Sequence, residues 1–307
     1  MNNQTFLNNS YVSDENKLRK FLELILEIKE MLIEKSDNSI ENMFHMLSWN
    51  DTVYRTFNEG LRLMWEKKKE NQLPGTLVEY IHKAHLSFML SILRKLYEPA
   101  KLNNKKVNSI PNIIKMIKNN SYLFNRENYV CYDGTPYSEN SGLDWKVNNK
   151  IKNRHNIFDK LPRVNNEKTR KRDDIIDNKI LCSIEKNAVF NKNIKKYTNK
   201  FLFHASAKNN RPNSTETYKL MKLVTIQNQI RNAIWSVLQI GKMVDQLVST
   251  ELAAAKFDHL KGWDSLFDQN IKSRLNKYWH HRAKWWKKWT NYYWDYDYIF
   301  ISVKRKI

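Results

Sequence analysis

Two side chains in the second half of the chain, Lys200 and His204, have the types and spacing for phosphodiester chemistry. They stand four residues apart in Tyr197-Thr198-Asn199-Lys200-Phe201-Leu202-Phe203-His204, so on a helix they share one face, a turn apart. An imidazole can move a proton while a neighbouring cation offsets phosphate charge. A second pairing lies nearer the C-terminus. Arg274 is followed by His280 after five residues and by His281 after six, and at a separation of seven Arg274 and His281 fall on one helix face. A third is Arg154-His155-Asn156, in a stretch read as a flexible loop. Glu79, His82 and His85 are spaced by threes, which suits a divalent cation on paper, but no further ligand is evident. A hydrogen-bonded core histidine is the stronger reading there, and neither metal nor cofactor is expected. For Lys200 and His204 the bland counterpart is a solvated helix end in a basic chain, and for Arg274 with His280 or His281 it is a chance match.

Charge decides which chemistry the rest of the chain favours. The net charge is +21 over 307 residues, and it is uneven. Residues 1–100 carry 13 basic and 14 acidic side chains, residues 101–200 carry 22 and 10, and residues 201–307 carry 18 and 8. A Lys- and Asn-rich composition from an AT-rich genome raises lysine everywhere, yet the first third stays neutral. A polyanionic partner, nucleic acid first, is the natural reading of the remainder. Six Gly and six Pro argue against a turn-rich all-β fold. No stretch is apolar enough to span a bilayer, no secretory signal is visible at the start, and Cys131 and Cys182 have no metal-ligand spacing. We therefore expect a cytoplasmic protein.

The elements that must position these residues are helices. Apolar periodicity predicts them over 13–35 with Ser13 as cap, 40–70 and 77–97. A short one opens at Asn108-Ser109-Ile110-Pro111 and ends near Asn119-Asn120. Another covers 173–203 with a break near Asn187 or Asn191, and a long one covers 215–257 with a possible bend at Gly241. For 77–97 the expected core stripe is Leu77, Ile81, Ala84, Phe88, Ile92 and Leu96. Residues 125–170 read as a long basic loop in which Trp145, Ile157 and Phe158 interleave with Lys146, Lys150, Arg154, His155 and Arg170. Cations with scattered aromatics suit RNA or single-stranded DNA, and a solvated basic insertion is the alternative. The last helix, 264–293, gathers Tyr278, Trp279, Trp285, Trp286, Trp289, Tyr292 and Tyr293 into an arc of roughly 140°. Lys284, Lys287, Lys288 and His280 oppose them. Packing on the body, a dimer face, and an interfacial membrane or stacking surface all fit this pattern. The apolar tail 298–303 reads as a short strand.

The order of features resembles the HEPN superfamily, nearest to its AbiU-type abortive-infection branch. The matching pieces are Tyr80-Ile81-His82-Lys83-Ala84-His85 through Arg94-Lys95-Leu96-Tyr97, then Val107-Asn108-Ser109-Ile110, then Asn199-Lys200-Phe201-Leu202-Phe203-His204, within roughly residues 40–255. The resemblance implies an all-α, up-and-down bundle, here with a long basic loop and an extra Trp-rich C-terminal helix. It divides the chain into an N-terminal helix over 1–39, a HEPN-like domain over 40–257, and an aromatic, basic helix with a tail over 258–307. It implies an antiviral, toxin–antitoxin role as an RNA-targeting effector. Such an effector is a metal-independent endoribonuclease, or else a non-catalytic RNA-binding protein or a helical interaction module. A homodimer with a composite cleft is implied, as is an antitoxin partner. His204 takes the proton-transfer role and Asn199 the polar place of the motif. Thr198 stands where the motif has Arg, so Lys200, or Lys195 and Lys196, must supply the charge without the planar fork of a guanidinium. Arg154, His155, Arg170, Lys171, Arg172, Arg211, Lys195 and Lys196 are the expected nucleic-acid contacts, with Arg274 and His281 as a secondary catalytic candidate.

Overall fold

The computed structural model describes residues 12–34, 38–66, 73–99, 107–138, 144–164, 166–198, 223–249, 267 and 269–295. Among them the chain is all-α, a helical bundle with no strand and a single antiparallel bridge between Asn125 and Ile175. Ten α-helices are described: α1 Glu15–Ile33, α2 Ile40–Glu66, α3 Gly75–Leu96, α4 Ile110–Asn119, α5 Arg126–Cys131, α6 Trp145–Asp159, α7 Asn178–Asn187, α8 Lys192–Tyr197, α9 Leu223–Met243 and α10 Gln269–Asp295. The stretch expected as a strand at 298–303 lies outside the described residues.

Side-chain caps set several helix starts. Asp14, rather than Ser13, caps α1 by accepting from the Lys17 amide. Ser13 is drawn away because its hydroxyl donates to Glu127 at 2.5 Å. Ser109 caps α4 as expected, and its hydroxyl also donates to the Glu98 carbonyl at 2.7 Å, tying the end of α3 to the start of α4. Asn191 caps α8, and the break between α7 and α8 falls at Ala188–Asn191. Helix α9 stops at Met243 rather than continuing to 257. The Gln246 amide donates back to the Gly241 carbonyl at 2.8 Å, and Asp245 takes a left-handed φ of 51°, which closes the helix end. Gly241 therefore lies in the last turn, where its carbonyl takes part in closing the terminus.

One large core joins α1, the first half of α2, α3, α4, α7, α8 and α9, with Trp286 of α10 reaching into it. A second cluster packs Phe57, Leu63 and Met64 of α2 against Phe267, Ile271, Leu275 and Trp279. Gly60 allows that approach, because a Cβ there would overlap the Phe267 ring. On α3 the buried stripe is His85, Leu86, Met89, Leu90, Ile92, Leu93 and Leu96, whereas Leu77 and Phe88 are exposed. Of the expected stripe Ile92 and Leu96 are buried, while Leu77, Ala84 and Phe88 are exposed, because α3 buries mainly its second half and does so around His85. That histidine is a core residue. Its Nδ1 lies 3.0 Å from the Asn50 amide nitrogen, and its ring stacks on Tyr54 at 3.7 Å. The Tyr54 hydroxyl bonds in turn to His82 Nδ1. Among the described residues no group of three or more His, Cys, Asp and Glu could hold a metal ion, and no helix is long and apolar enough to cross a membrane.

Candidate functional site

Helix α10 turns two different faces to its surroundings. Ile271, Leu275, Trp279, Arg282 and Trp286 point inward at helical spacing, and all are buried. Arg282 enters with a charge and meets one: its Nη2 donates to Asp51 Oδ2 of α2 at 2.5 Å, and Trp286 Nε1 donates to the same oxygen at 3.3 Å. Arg55 Nε takes the other carboxylate oxygen at 2.6 Å. This buried carboxylate fixes the rotation of α10 against α2. The arrangement answers the question of the Trp-rich helix in favour of packing on the body, for Trp279 and Trp286 at least. The side chains of Trp289, Tyr292 and Tyr293 lie outside the described residues.

With the inward face fixed, the outward face is set. Arg274, Lys277, His281, Lys284 and Lys288 are all exposed, at offsets of three, seven, ten and fourteen, so they form one stripe. At 1.5 Å per residue the stripe runs about 21 Å. His280 and Lys287 flank it, also exposed. From Gln269 to Trp294 the helix has no acidic residue. Glu59 of α2 feels this face. Its carboxyl is held below the usual range first by its hydrogen bond from Arg62, with a smaller contribution from the Arg274 charge. The secondary pair Arg274 and His281 therefore shares an open, cationic surface.

The leading motif is approached by α8. Asn199, Lys200, His204 and Arg211 lie outside the described residues. The Asn191 amide donates to Gln229 Oε1 at 3.2 Å, and Gln229 Nε2 donates to the Val189 carbonyl at 3.1 Å. Tyr97 donates its hydroxyl to the Gln229 carbonyl at 2.9 Å and stacks on Phe190 at 5.6 Å. These contacts from α3 and α9 hold the α7–α8 link, and Ile194 anchors α8 in the core. Lys195 and Lys196 are exposed. Thr198 is fully buried, with its hydroxyl donating to the Lys195 carbonyl at 3.0 Å.

The long basic loop expected over 125–170 is largely folded. Residues 145–159 form α6, and its one arginine is spent on structure. Arg154 is 4% exposed; it donates to Asp133, Asp245 and the Val130 carbonyl and lies over the Tyr132 ring at 4.3 Å. Burial pushes the Asp133 carboxyl up, but hydrogen bonds from Arg154, Lys150 and Thr135 outweigh it and hold the group well below the carboxylate range. His155 is buried, with Nε2 2.9 Å from the Tyr137 carbonyl. Arg126 is fully buried between Asp159 and Asp174, Arg170 grips Asp159, and Arg172 pairs with Glu127. Of the five contacts expected in this region, Arg154 and His155 are interior, and Arg170 and Arg172 are held by carboxylates. Lys171 is exposed. The loop reading failed because the Asn-rich run of α6 has low helix propensity, which its Asp144 cap and the ion pairs overcome.

Sequence reasoning passed over Lys277, Asn149 and Asn153. The three-residue offset from Arg274, which keeps a side chain on the same helix face, would have found the first. The four-residue spacing from Trp145 would have found the other two, had α6 been read as helical. No protein-family model, curated protein or solved structure matches the chain, so its function is read from its own side chains.

Proposed function

We propose that this protein is an RNA-targeting effector, acting as a metal-independent ribonuclease of HEPN type. The observation that carries the RNA part is the outer face of α10, where exposed cations succeed one another with no acid through Trp294. A nucleic-acid strand carries one charge per roughly 3.4 Å of duplex axis, so a stripe of about 21 Å can lie beside several phosphates. Lys195 and Lys196 add exposed charge at the end of α8, directly before the motif in sequence. The resemblance of Asn199 to His204 supports the catalytic part. His204 takes the 2′-hydroxyl proton or protonates the leaving oxygen, and Lys200 offsets charge on the phosphate. The same resemblance supports a homodimer with a shared cleft, an antitoxin partner and a role in phage defence.

One observation favours the non-catalytic form of this reading. Thr198 occupies the place of the motif arginine and is fully buried, so it offers no charge to a substrate. The test is incubation with tRNA in EDTA, using wild type, His204→Ala and His281→Ala. Cutting that persists in EDTA and is lost only in His204→Ala is the expected result. Loss only in His281→Ala moves the site to α10. Salt-sensitive binding without cutting in any variant leaves an RNA-binding protein. Absence of binding at low salt overturns the proposal.

A further inference from the structure

A groove of about 450 Å³ runs along one face of α6, walled by Trp145, Lys146, Asn149, Lys150, Asn153 and Ile157. Its volume is within the range of small-ligand sites. Trp145 opens the groove and is 67% exposed, an unusual position for the largest apolar side chain on the helix. Asn149 and Asn153 follow Trp145 at steps of four, so indole and amides stand in one line. Both amides are exposed, as is Lys146. Lys150 reaches Asp133 at 2.5 Å but keeps 48% of its side chain in solvent. The floor is rigid. Arg154 and Asp245 line it, and Arg154 is clamped by two carboxylates and a carbonyl while its buried Nε has no hydrogen-bond partner.

We infer that this groove is a subsite for one unpaired nucleotide of a single-stranded nucleic acid. The base stacks on the Trp145 indole. Its polar edge meets the Asn149 and Asn153 amides, each of which offers both a donor and an acceptor. The flanking phosphate lies against Lys146 and Lys150. Asn pairs bidentately with the N6/N7 edge of adenine, so the site favours adenine among the bases. A base in a duplex cannot reach the indole face, which makes the site selective for single strands. The inference rests on the nucleic-acid reading above but involves neither α10 nor His204.

The test is fluorescence anisotropy with labelled 12-nucleotide oligo(rA) and oligo(dA), alongside an rA·rU duplex. The proteins compared are wild type, Trp145→Ala, Trp145→Phe, and the α10 variant Lys277→Gln/Lys284→Gln/Lys288→Gln. Loss of one stacked base weakens binding roughly tenfold. Trp145→Ala is therefore expected to weaken both single strands about tenfold and leave the duplex unchanged, and Trp145→Phe to restore most of the affinity. The α10 variant weakens single strand and duplex alike. Comparison of oligo(rA) with oligo(dA) shows whether the sugar contributes. If Trp145→Ala binds single strands as wild type does, or loses single strand and duplex equally, the subsite is wrong while RNA binding stands. If wild type binds no nucleic acid at low salt, both fail together.

Discussion

Replacing Asp51 by Ala is expected to loosen α10 from the body and take its cationic face with it. Asp51 is 4% exposed and serves three donors on two helices: Arg282, Arg55 and Trp286. The cost is set mainly by Arg282, whose side chain is 9% exposed and would be left buried without its anion. Removing one partner of a buried pair costs about 3–5 kcal/mol. The orphaned Trp286 N–H adds about 1 kcal/mol. Arg55 keeps 22% of its side chain in solvent and can rehydrate, so it adds little. The sum is about 4–6 kcal/mol, a large share of the roughly 5–15 kcal/mol typical of a folded protein. The assay is urea unfolding followed by Trp fluorescence and far-UV circular dichroism, whose coincidence shows that one transition is being measured. Asp51→Asn keeps an acceptor and loses roughly half as much. The double replacement Asp51→Leu/Arg282→Met removes both charges and recovers most of the loss. A fall of less than about 1 kcal/mol in Asp51→Ala, or a double replacement no better than the single one, would refute the claim that this carboxylate sets α10.

The other predictions concern the core and its titrating groups. Gly60→Ala forces a methyl group into the Phe267 ring, and overpacking of about 1–3 kcal/mol exceeds the helix-propensity gain of about 1 kcal/mol, so the midpoint in urea falls. Burial pushes the His85 imidazole down to about 4 from 6.5, with Asp51 opposing. The unfolded chain then binds the proton first, so stability is complete above about pH 6.5 and falls as pH drops towards 4. Between pH 7 and pH 4.5 wild type loses about 2 kcal/mol more than His85→Gln, read from urea unfolding at the two pH values. Cys131 is buried, which pushes its thiol up to about 12, whereas Cys182 is exposed. One thiol per chain reacts promptly with a disulfide reagent in the native state, and Cys182→Ser abolishes that reaction.

How far the sequence could be read depended on whether local pattern or tertiary pairing decided an element. Helices α1 to α4 follow from apolar periodicity and caps, since Ser109-Ile110-Pro111 carries its own start signal. The end of α9 did not follow, because apolar periodicity continues past Met243 and the stop depends on Asp245 being held by Tyr132 and Arg154 from distant parts of the chain. The same long-range pairing hid α6 and the interior fate of Arg154 and His155. A run of Lys and Asn reads as solvated until Asp133, Asp159 and Asp174 are brought beside the arginines. Charge asymmetry was legible from composition, but its place was only partly so. Lys284, Lys287 and Lys288 stood out by density, while Lys277 joins the stripe only once Trp279 and Trp286 have fixed which way the helix faces.

The salt dependence of RNA affinity tests the central claim most directly. For a single strand the logarithm of affinity falls with the logarithm of salt at about 0.7 per phosphate neutralised. Arg274, Lys277, Lys284 and Lys288 engaging four phosphates predict that changing all four to Gln lowers the slope by about 3 and weakens binding at low salt. An unchanged slope in that variant, or an affinity in wild type that is indifferent to salt, would contradict the account.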